Sequence, residues 1–151
     1  MSADLDSLTA RVAEFLQDAT HLVYPDSAIT EGLRQALGEL SRALGQNLDL
    51  SGLDGAVTTT LPEELESLLV QGATAVVVSG RGLRHAEQTA LAPEGLSPAA
   101  LAWAEAVWKR FSHSCELIRS SALRGSSVPW AEPPAGSRTG WSLDAHDGEV
   151  F

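Results

Sequence analysis

The stretch SPAALAWAEAVWKRFSHSCELIRSSAL, residues 97–123, contains the most regular hydrophobic pattern in the chain. Ser97 followed by Pro98 is typical of a helix start, because serine caps the first turn and proline is tolerated at the first helical position. Apolar residues then recur at spacings of three and four, which predicts a helix of roughly 40 Å with one continuous packing face. This face comprises Leu101, Ala104, Trp108, Phe111, Cys115, Ile118 and Ala122. The pattern predicts a helical bundle in which Cys115 is a small buried hydrophobic residue rather than a nucleophile.

A first amphipathic helix is predicted at the N-terminus, capped by Ser2 or Asp4 and ending near Thr20. Its apolar positions are Leu5, Leu8, Val12, Phe15, Leu16 and Ala19. The opposite face is charged and polar, so one side of this helix should pack on the bundle.

A second amphipathic helix is predicted from Asp26 or Ser27 to the residue before Gly45. Glycine at that point favours termination, because it readily adopts the left-handed conformation that closes a helix. Its apolar side consists of Ile29, Leu33, Ala36, Leu37, Leu40 and Leu44.

A third helix is predicted from Thr60-Leu61-Pro62-Glu63, where Thr60 and Glu63 have the spacing of a capping box and Pro62 falls in the first turn. Residues 75–78 alone also fit a strand, but the helical register on both sides favours a helix. The apolar positions Leu65, Leu68, Leu69, Gly72, Ala73, Val76 and Val77 indicate burial on more than one side. The glycine-rich segment 79–82 lacks the lysine and hydroxyl end of a phosphate-binding loop, so we expect it to be a break or a weak point late in the helix.

Residues 46–60 (QNLDLSGLDGAVTTT) differ in character from the helices. Alternating Leu48 and Leu50, the turn-forming pair Asp54-Gly55 and the β-favouring run 57–60 fit a short hairpin. A plain loop fits equally well, because two such short strands are not stable by themselves.

The charge of −10 is unevenly distributed along the 151 residues. Residues 1–66 have a net charge of −9, residues 81–124 one of +2, and residues 125–151 one of −3. An acidic N-terminal half disfavours nucleic-acid binding, and the separation of charge suits subunits that pack acidic face to basic face. A solvated acidic surface that keeps the protein soluble is the simpler interpretation. The basic residues Lys109, Arg110, Arg119 and Arg124 are expected to form salt bridges with the acidic first two helices or with another subunit.

Residues 125–151 (GSSVPWAEPPAGSRTGWSLDAHDGEVF) combine turn formers with large aromatic side chains. Four glycines, three prolines and four serines are typical of a solvated segment, whereas Trp130, Trp141 and Phe151 are costly to leave in water. We therefore predict a helical domain over residues 1–124 and an extended arm over 125–151. The arm is expected to bind a partner or this subunit through Pro129, Trp130, Trp141 and Phe151.

Candidate catalytic or metal-binding groups are scattered. None of the four histidines belongs to a recognised metal-binding pattern of His, Cys or carboxylate residues at helical spacing, so no metal or cofactor is expected. Asp18 and His21 suggest an acid/base pair, but Asp18 fits equally well as a local hydrogen-bonding group near Arg11 or Thr20. We expect a non-enzymatic, soluble protein from a reducing compartment, with one cysteine and no apolar run long enough for a membrane span.

Residues 8–45 resemble the head-to-tail adaptor, or connector, proteins of long-tailed bacteriophages. The resemblance lies in Val12-x-x-Phe15-Leu16-Gln17-Asp18, in Tyr24-Pro25-Asp26 and in Ile29-x-x-x-Leu33-x-x-Ala36-Leu37. A Leu-Pro helix, a long helix and a polar tail follow in the same order. Residues 46–60 and 81–97 match no pattern of that family.

The resemblance implies a virion protein of the head–tail neck, assembled in the host cytoplasm. Such proteins are small all-α bundles that form a ring, usually of twelve copies, below the portal protein and above a stopper or tail terminator. DNA passes through the channel without sequence-specific contacts, and a C-terminal extension grips the portal. The alternative that the sequence leaves open is a cytosolic helical binding module whose arm folds back on its own bundle.

Overall fold

The computed structural model describes residues 3–88 and 97–125, with side chains described as far as residues 82 and 124 in the two ranges. Within these ranges the chain forms four packed α-helices and no strand, which confirms the prediction of an all-α bundle. The helices are α1 (Leu5–Phe15), α2 (Asp26–Leu44), α3 (Glu66–Gln88) and α4 (Pro98–Gly125), with one 3-10 turn at Glu63–Leu65. Residues 126–151 of the predicted arm, which include all four of its proposed binding residues, lie outside the described residues.

Helix α1 begins at a complete capping box. The Ser7 N–H donates to the Asp4 carboxylate at 2.9 Å, and the Asp4 N–H donates to the Ser7 hydroxyl oxygen at 3.1 Å. Of the two predicted caps, Asp4 is therefore the one used. The same end of the helix is fixed to the 46–60 loop, because the Leu5 N–H donates to the Ser51 carbonyl at 2.9 Å.

The end of α1 was predicted wrongly. The helix stops at Phe15 rather than near Thr20, because Gln17 takes a left-handed backbone conformation with φ of 56°. Two predicted core positions are consequently outside the core: Phe15 is 51% exposed and Ala19 is exposed. Ala13, which the pattern did not select, is buried instead.

Helix α2 has the predicted bounds and ends as predicted at Gly45, whose φ is 68°. Its predicted apolar side is buried from Ile29 to Leu40, with Leu44 partly buried. Gly32 on this side lies directly against α3, where an added Cβ would lie 2.9 Å from the Ala73 carbonyl oxygen and 2.7 Å from the Val77 side chain. The absence of a side chain at Gly32 is what lets the two helices approach this closely.

The predicted capping box of α3 does not form. The Thr60 hydroxyl oxygen accepts a hydrogen bond from the Asp49 N–H at 2.8 Å, so it is used by the loop and not by the helix. Glu63 opens the 3-10 turn after Pro62, and the regular helix begins at Glu66. Helix α3 packs against all three other helices, as its apolar residues on several sides predicted, and residues 75–82 are continuous helix with no break.

Helix α4 starts as predicted, with the Ser97 hydroxyl oxygen accepting from the Ala100 N–H at 3.2 Å. Ala104, Phe111 and Cys115 are buried, and Trp108 and Ile118 are partly buried against the core. The ends of the predicted face differ, because Leu101 is 40% exposed and Ala122 is exposed. The helix packs antiparallel to α3, since Gly72 faces the Phe111 ring and Gly82 faces Leu101.

The 46–60 segment is a closed loop rather than a two-stranded hairpin. Asp54 and Gly55 form the predicted turn, with φ of 51° and 83°, and the Ala56 N–H donates to the Leu53 carbonyl at 2.9 Å. Threonine hydroxyls replace part of the backbone pairing, since Thr59 accepts from the Ser51 N–H at 3.0 Å. The loop completes the core with Leu48, Leu50 and Leu53.

Candidate interaction surface

An aromatic pair on the surface of the bundle is its most unusual described feature. The Phe15 and Trp103 rings lie 6.3 Å apart at an angle of 31°, and the two residues are 51% and 41% exposed. Aromatic side chains of this size are among the most costly to leave in water and are enriched in binding interfaces. The pair therefore identifies a candidate site for contact with another surface.

Helix ends position both rings. Phe15 is the last residue of α1, and it projects at the edge of the bundle because the left-handed Gln17 stops the helix there. Trp103 is in the second turn of α4, one residue before the buried Ala104. A residue adjacent to a packing position points to the side of the bundle, which brings Trp103 toward α1.

An open cleft of about 510 Å³ lies beside Phe15, between α1 and α3. It is lined by Arg11, Glu14, Phe15, Ser67, Val70 and Gln71. Arg11 donates to Glu66 at 2.8 Å, and Glu66 is the less exposed partner of this ion pair. The lining combines apolar and polar groups without a nucleophile and base in contact, so its chemistry suits a docked side chain better than a reaction.

Asp18 stabilises the turn that joins α1 to α2. Asp18 is 7% exposed, and its carboxylate accepts hydrogen bonds from the backbone N–H groups of Leu22 at 3.1 Å, Val23 at 2.9 Å and Tyr24 at 2.7 Å. Burial of Asp18 raises its pKa, but these hydrogen bonds outweigh the effect, and the pKa lies below its ordinary value. The carboxylate is therefore an ionised structural group.

The suggested pair of Asp18 and His21 is not built as an acid/base unit. The His21 Nδ1 atom lies 2.5 Å from the Asp26 Oδ1 atom, although this contact lacks the geometry of a hydrogen bond. The backbone carbonyl oxygen of Asp18 accepts a hydrogen bond from the His21 N–H at 2.9 Å. Neither Arg11 nor Thr20 provides the hydrogen bonds to the Asp18 carboxylate, which come from the turn itself.

Arg81 connects the same turn to α3. Its guanidinium lies 5.2 Å from the centre of the Tyr24 ring and donates to the Val23 carbonyl at 2.9 Å. Burial raises the pKa of Tyr24. The segment 79–82 that contains Arg81 is thus a helix-packing surface, in which Gly82 lies against Leu101 of α4.

Cys115 is in the core, as predicted, with 6% exposure. Burial raises the pKa of the thiol, which keeps it in the protonated form that is a poor nucleophile. Among the described residues, no group of three or more His, Cys, Asp or Glu side chains could hold a metal ion. In the same part of the chain, no helix is both long and apolar enough to span a bilayer.

Two of the four basic residues singled out in the sequence form ion pairs within their own helix, α4. Lys109 contacts Glu105 at 2.7 Å, and Arg119 contacts Glu116 at 2.7 Å. These two residues therefore do not form the predicted salt bridges with the acidic first two helices of the same chain. Both pairs are exposed, so each contributes little to stability.

Comparison of the chain with protein-family models, with curated proteins and with solved structures finds no match.

The sequence pattern missed the aromatic pair because helical periodicity assigned Phe15 to the core and left Trp103 out of the α4 packing face. A signal for Trp103 was present, since a tryptophan adjacent to a packing position must project beside the buried face. No comparable signal existed for Phe15, whose exposure depends on where α1 stops.

Proposed function

We propose that the protein is a non-enzymatic structural protein of a bacteriophage virion, a head-to-tail adaptor that forms a ring below the portal. In this function the arm, residues 125–151, anchors the ring through Pro129, Trp130, Trp141 and Phe151, and DNA passes through the central channel. Assembly takes place in the host cytoplasm, and the ring then belongs to the neck, between the portal and a stopper or tail terminator.

The proposal is supported mainly by the contacts within the turn between α1 and α2, which contains residues of two of the motifs that resemble the adaptor family. Asp18 from the first motif closes the turn by accepting the N–H groups of Leu22, Val23 and Tyr24, and Tyr24 from the second motif packs beneath Arg81. The two short motifs thus form one structural element rather than two unrelated stretches. An all-α bundle is also the architecture that the resemblance implies.

The surface of the bundle provides further support. A ring subunit needs apolar contacts with its neighbours, and Phe15 and Trp103 offer an exposed aromatic pair for such contacts. The acidic half, with a net charge of −9 over residues 1–66, suits a channel that must not retain DNA.

Truncation after Gly125 tests the anchoring function. The truncated chain is expected to keep its helical circular-dichroism spectrum and to lose co-sedimentation with the portal protein, because the aromatic anchors are gone. A full-length chain with Trp130→Ala and Trp141→Ala keeps the arm and its charges and serves as the matched variant. Undiminished portal binding by the truncated chain would contradict the proposal.

The order of genes offers an independent test. An adaptor gene is expected directly downstream of a portal or major capsid gene. If neither lies next to the gene for this chain, the virion function is wrong.

The second candidate function is a cytosolic helical binding module whose arm folds on its own bundle. The exposed pair of Phe15 and Trp103 favours it, because Trp141 follows Gly125 by 16 residues and about 54 Å of extended chain is long enough to reach Trp103. A monomer by light scattering, with arm tryptophans protected from acrylamide quenching, would support this function over the adaptor.

A further inference from the structure

Asp54 and Gly55 form the tip of the 46–60 loop. Both residues are in the left-handed region, and the turn is closed by the Ala56 N–H, which donates to the Leu53 carbonyl at 2.9 Å. Asp54 is exposed, and a Cβ added at Gly55 would meet nothing within 4 Å. The peptide bond between Asp54 and Gly55 is therefore open to solvent and is not shielded by neighbouring side chains.

An aspartate followed by glycine is chemically suited to rearrangement of the backbone, because glycine has no side chain that hinders attack by its own nitrogen. The Gly55 nitrogen attacks the Asp54 Cγ atom, a new C–N bond closes a five-membered succinimide, and the carboxyl hydroxyl leaves with the amide proton as water. Water then opens the ring at either carbonyl. One opening restores aspartate, and the other gives isoaspartate, in which the main chain runs through the side-chain carbon. The water lost in the first step is regained in the second, so no further reactant is needed.

Arg34 of α2 holds the carboxylate that would have to react. Its Nε atom donates to Asp54 Oδ2 at 2.9 Å, and its Nη2 atom donates to Asp54 Oδ1 at 2.7 Å. Glu31 accepts a hydrogen bond from the Nη1 atom of the same guanidinium, which fixes its orientation from a second side. A carboxylate bound at both oxygens is directed toward α2, and its carbon cannot turn onto the Gly55 nitrogen while this contact lasts.

The same contact acts on the leaving group. Ring closure expels water only from a neutral carboxyl group, because an ionised one has no hydroxyl to lose. The hydrogen bonds from Arg34 lower the pKa of Asp54, which reduces the neutral fraction at neutral pH. The position and the charge of Arg34 therefore both oppose succinimide formation.

Isomerisation at this position would alter a loop that belongs to the core. Isoaspartate adds one atom to the main chain inside the turn that the Ala56 N–H closes. Leu50 and Leu53, which flank this part of the loop, are only 1% and 4% exposed, and Ser51 is hydrogen-bonded to the start of α1. A change at the loop tip is thus transmitted to buried side chains.

We propose that Asp54–Gly55 is a site of isoaspartate formation and that Arg34 protects it in the folded chain. Arg34 is a positioning residue in this role, since it acts through the Asp54 carboxylate and not on the attacking nitrogen. The proposal is independent of the proposed virion function, because it concerns only contacts within one copy of the bundle.

Incubation of the full-length chain at neutral pH tests the proposal. Electron-transfer fragmentation of the digested chain measures isoaspartate at residue 54 separately from the second Asp-Gly pair, at residues 147–148. We expect Arg34→Gln to form isoaspartate at residue 54 at least about fivefold faster than wild type, because the carboxyl group is then both unrestrained and more often neutral. A synthetic peptide of residues 50–58, which lacks Arg34, should react at least as fast as the variant.

Two variants separate protection by Arg34 from a general loosening of the fold. Arg42→Gln removes an equal charge from α2 at a residue that pairs with Glu39, and Gly32→Ala is expected to weaken the packing of α2 on α3. Both should leave the rate at residue 54 within about twofold of wild type. Equal acceleration in Arg34→Gln and either control, or a wild-type rate as high as that of the peptide, would overturn the proposal. An unchanged rate in Arg34→Gln would also overturn it.

Discussion

At the scale of single residues, one buried carboxylate determines the shape of the turn that carries the sequence resemblance. Asp18 accepts three successive backbone N–H groups that would otherwise be buried or strained without partners. The turn also contains two left-handed residues other than glycine, Gln17 and His21, with φ of 56° and 54°. Such conformations persist only where surrounding contacts enforce them, and the Asp18 carboxylate provides those contacts.

Replacing Asp18 by Asn should remove part of the pH dependence of folding. The folded-state pKa lies below the unfolded value of about 3.9, so the ionised group stabilises the fold above that pH, and the stabilisation is lost as the pH falls through the folded-state pKa. The difference in free energy of unfolding between wild type and Asp18→Asn is expected to be largest near pH 6 and to shrink below about pH 4. Urea titrations at several pH values measure it. Asp49→Asn, at an exposed residue, is the control, and it should change the free energy of unfolding by less than about 0.5 kcal/mol.

The Cys115 thiol should react only after the bundle opens. Burial excludes reagents and raises the pKa of the thiol, which lowers the reactive thiolate fraction. We expect labelling of the native protein by an aromatic disulfide reagent to be at least about a hundredfold slower than labelling in denaturant. This factor corresponds to a local opening that costs about 3 kcal/mol. Rapid labelling in native buffer would show that the core face of α4 is accessible.

At the scale of elements, the sequence predicts the position of a helix end that depends on groups within the same turn. It does not predict an end that depends on groups distant in the chain. The bounds of α2 and the start of α4 follow from Gly45 and Ser97, which act within their own turns. Thr60 also had the right local spacing for a cap, but its hydroxyl is hydrogen-bonded to Asp49, eleven residues earlier. Periodicity alone cannot reveal such competition, because it contains no information on which loop returns to the helix end.

The candidate interaction surface could likewise be predicted from the sequence only in part. The composition of the arm was visible in the sequence, whereas the exposure of Phe15 depends on the left-handed Gln17, and the contact of Phe15 with Trp103 depends on how three helices pack. Trp103, Arg110 and Leu117 recur every seven residues in the sequence, but their exposure can be assigned only once the packed face of α4 is known.

Two glycines on α2 give a matched test of helix packing. Gly32→Ala would place a Cβ against the Ala73 carbonyl and the Val77 side chain, and we expect a loss of about 1–3 kcal/mol in the free energy of unfolding. Gly38→Ala meets nothing within 4 Å, and we expect a gain of about 0.5–1 kcal/mol from helix propensity. Both are measured by urea unfolding followed by circular dichroism. Equal effects would show that α2 does not approach α3 closely at Gly32.

At the scale of the whole molecule, the described residues form one continuous core. Buried apolar residues from Leu8 to Cys115 form one cluster, to which all four helices and the 46–60 loop contribute. Several exposed apolar side chains lie outside this cluster, among them Phe15, Trp103 and Leu117. A bundle with its own core and a separate exposed apolar surface is an arrangement that suits assembly.

Removal of residues 126–151 should therefore leave the stability of the dilute monomer unchanged, within about 0.5 kcal/mol, because surface changes of this kind have small effects. If the arm of one copy binds another copy, the full-length chain alone should become more stable as its concentration rises, by mass action. The midpoint of urea unfolding, measured from about 1 to 100 μM for both chains, separates these expectations. An arm that folds on its own bundle gives a different result, in which the full-length chain is more stable than the truncated chain by the same amount at every concentration.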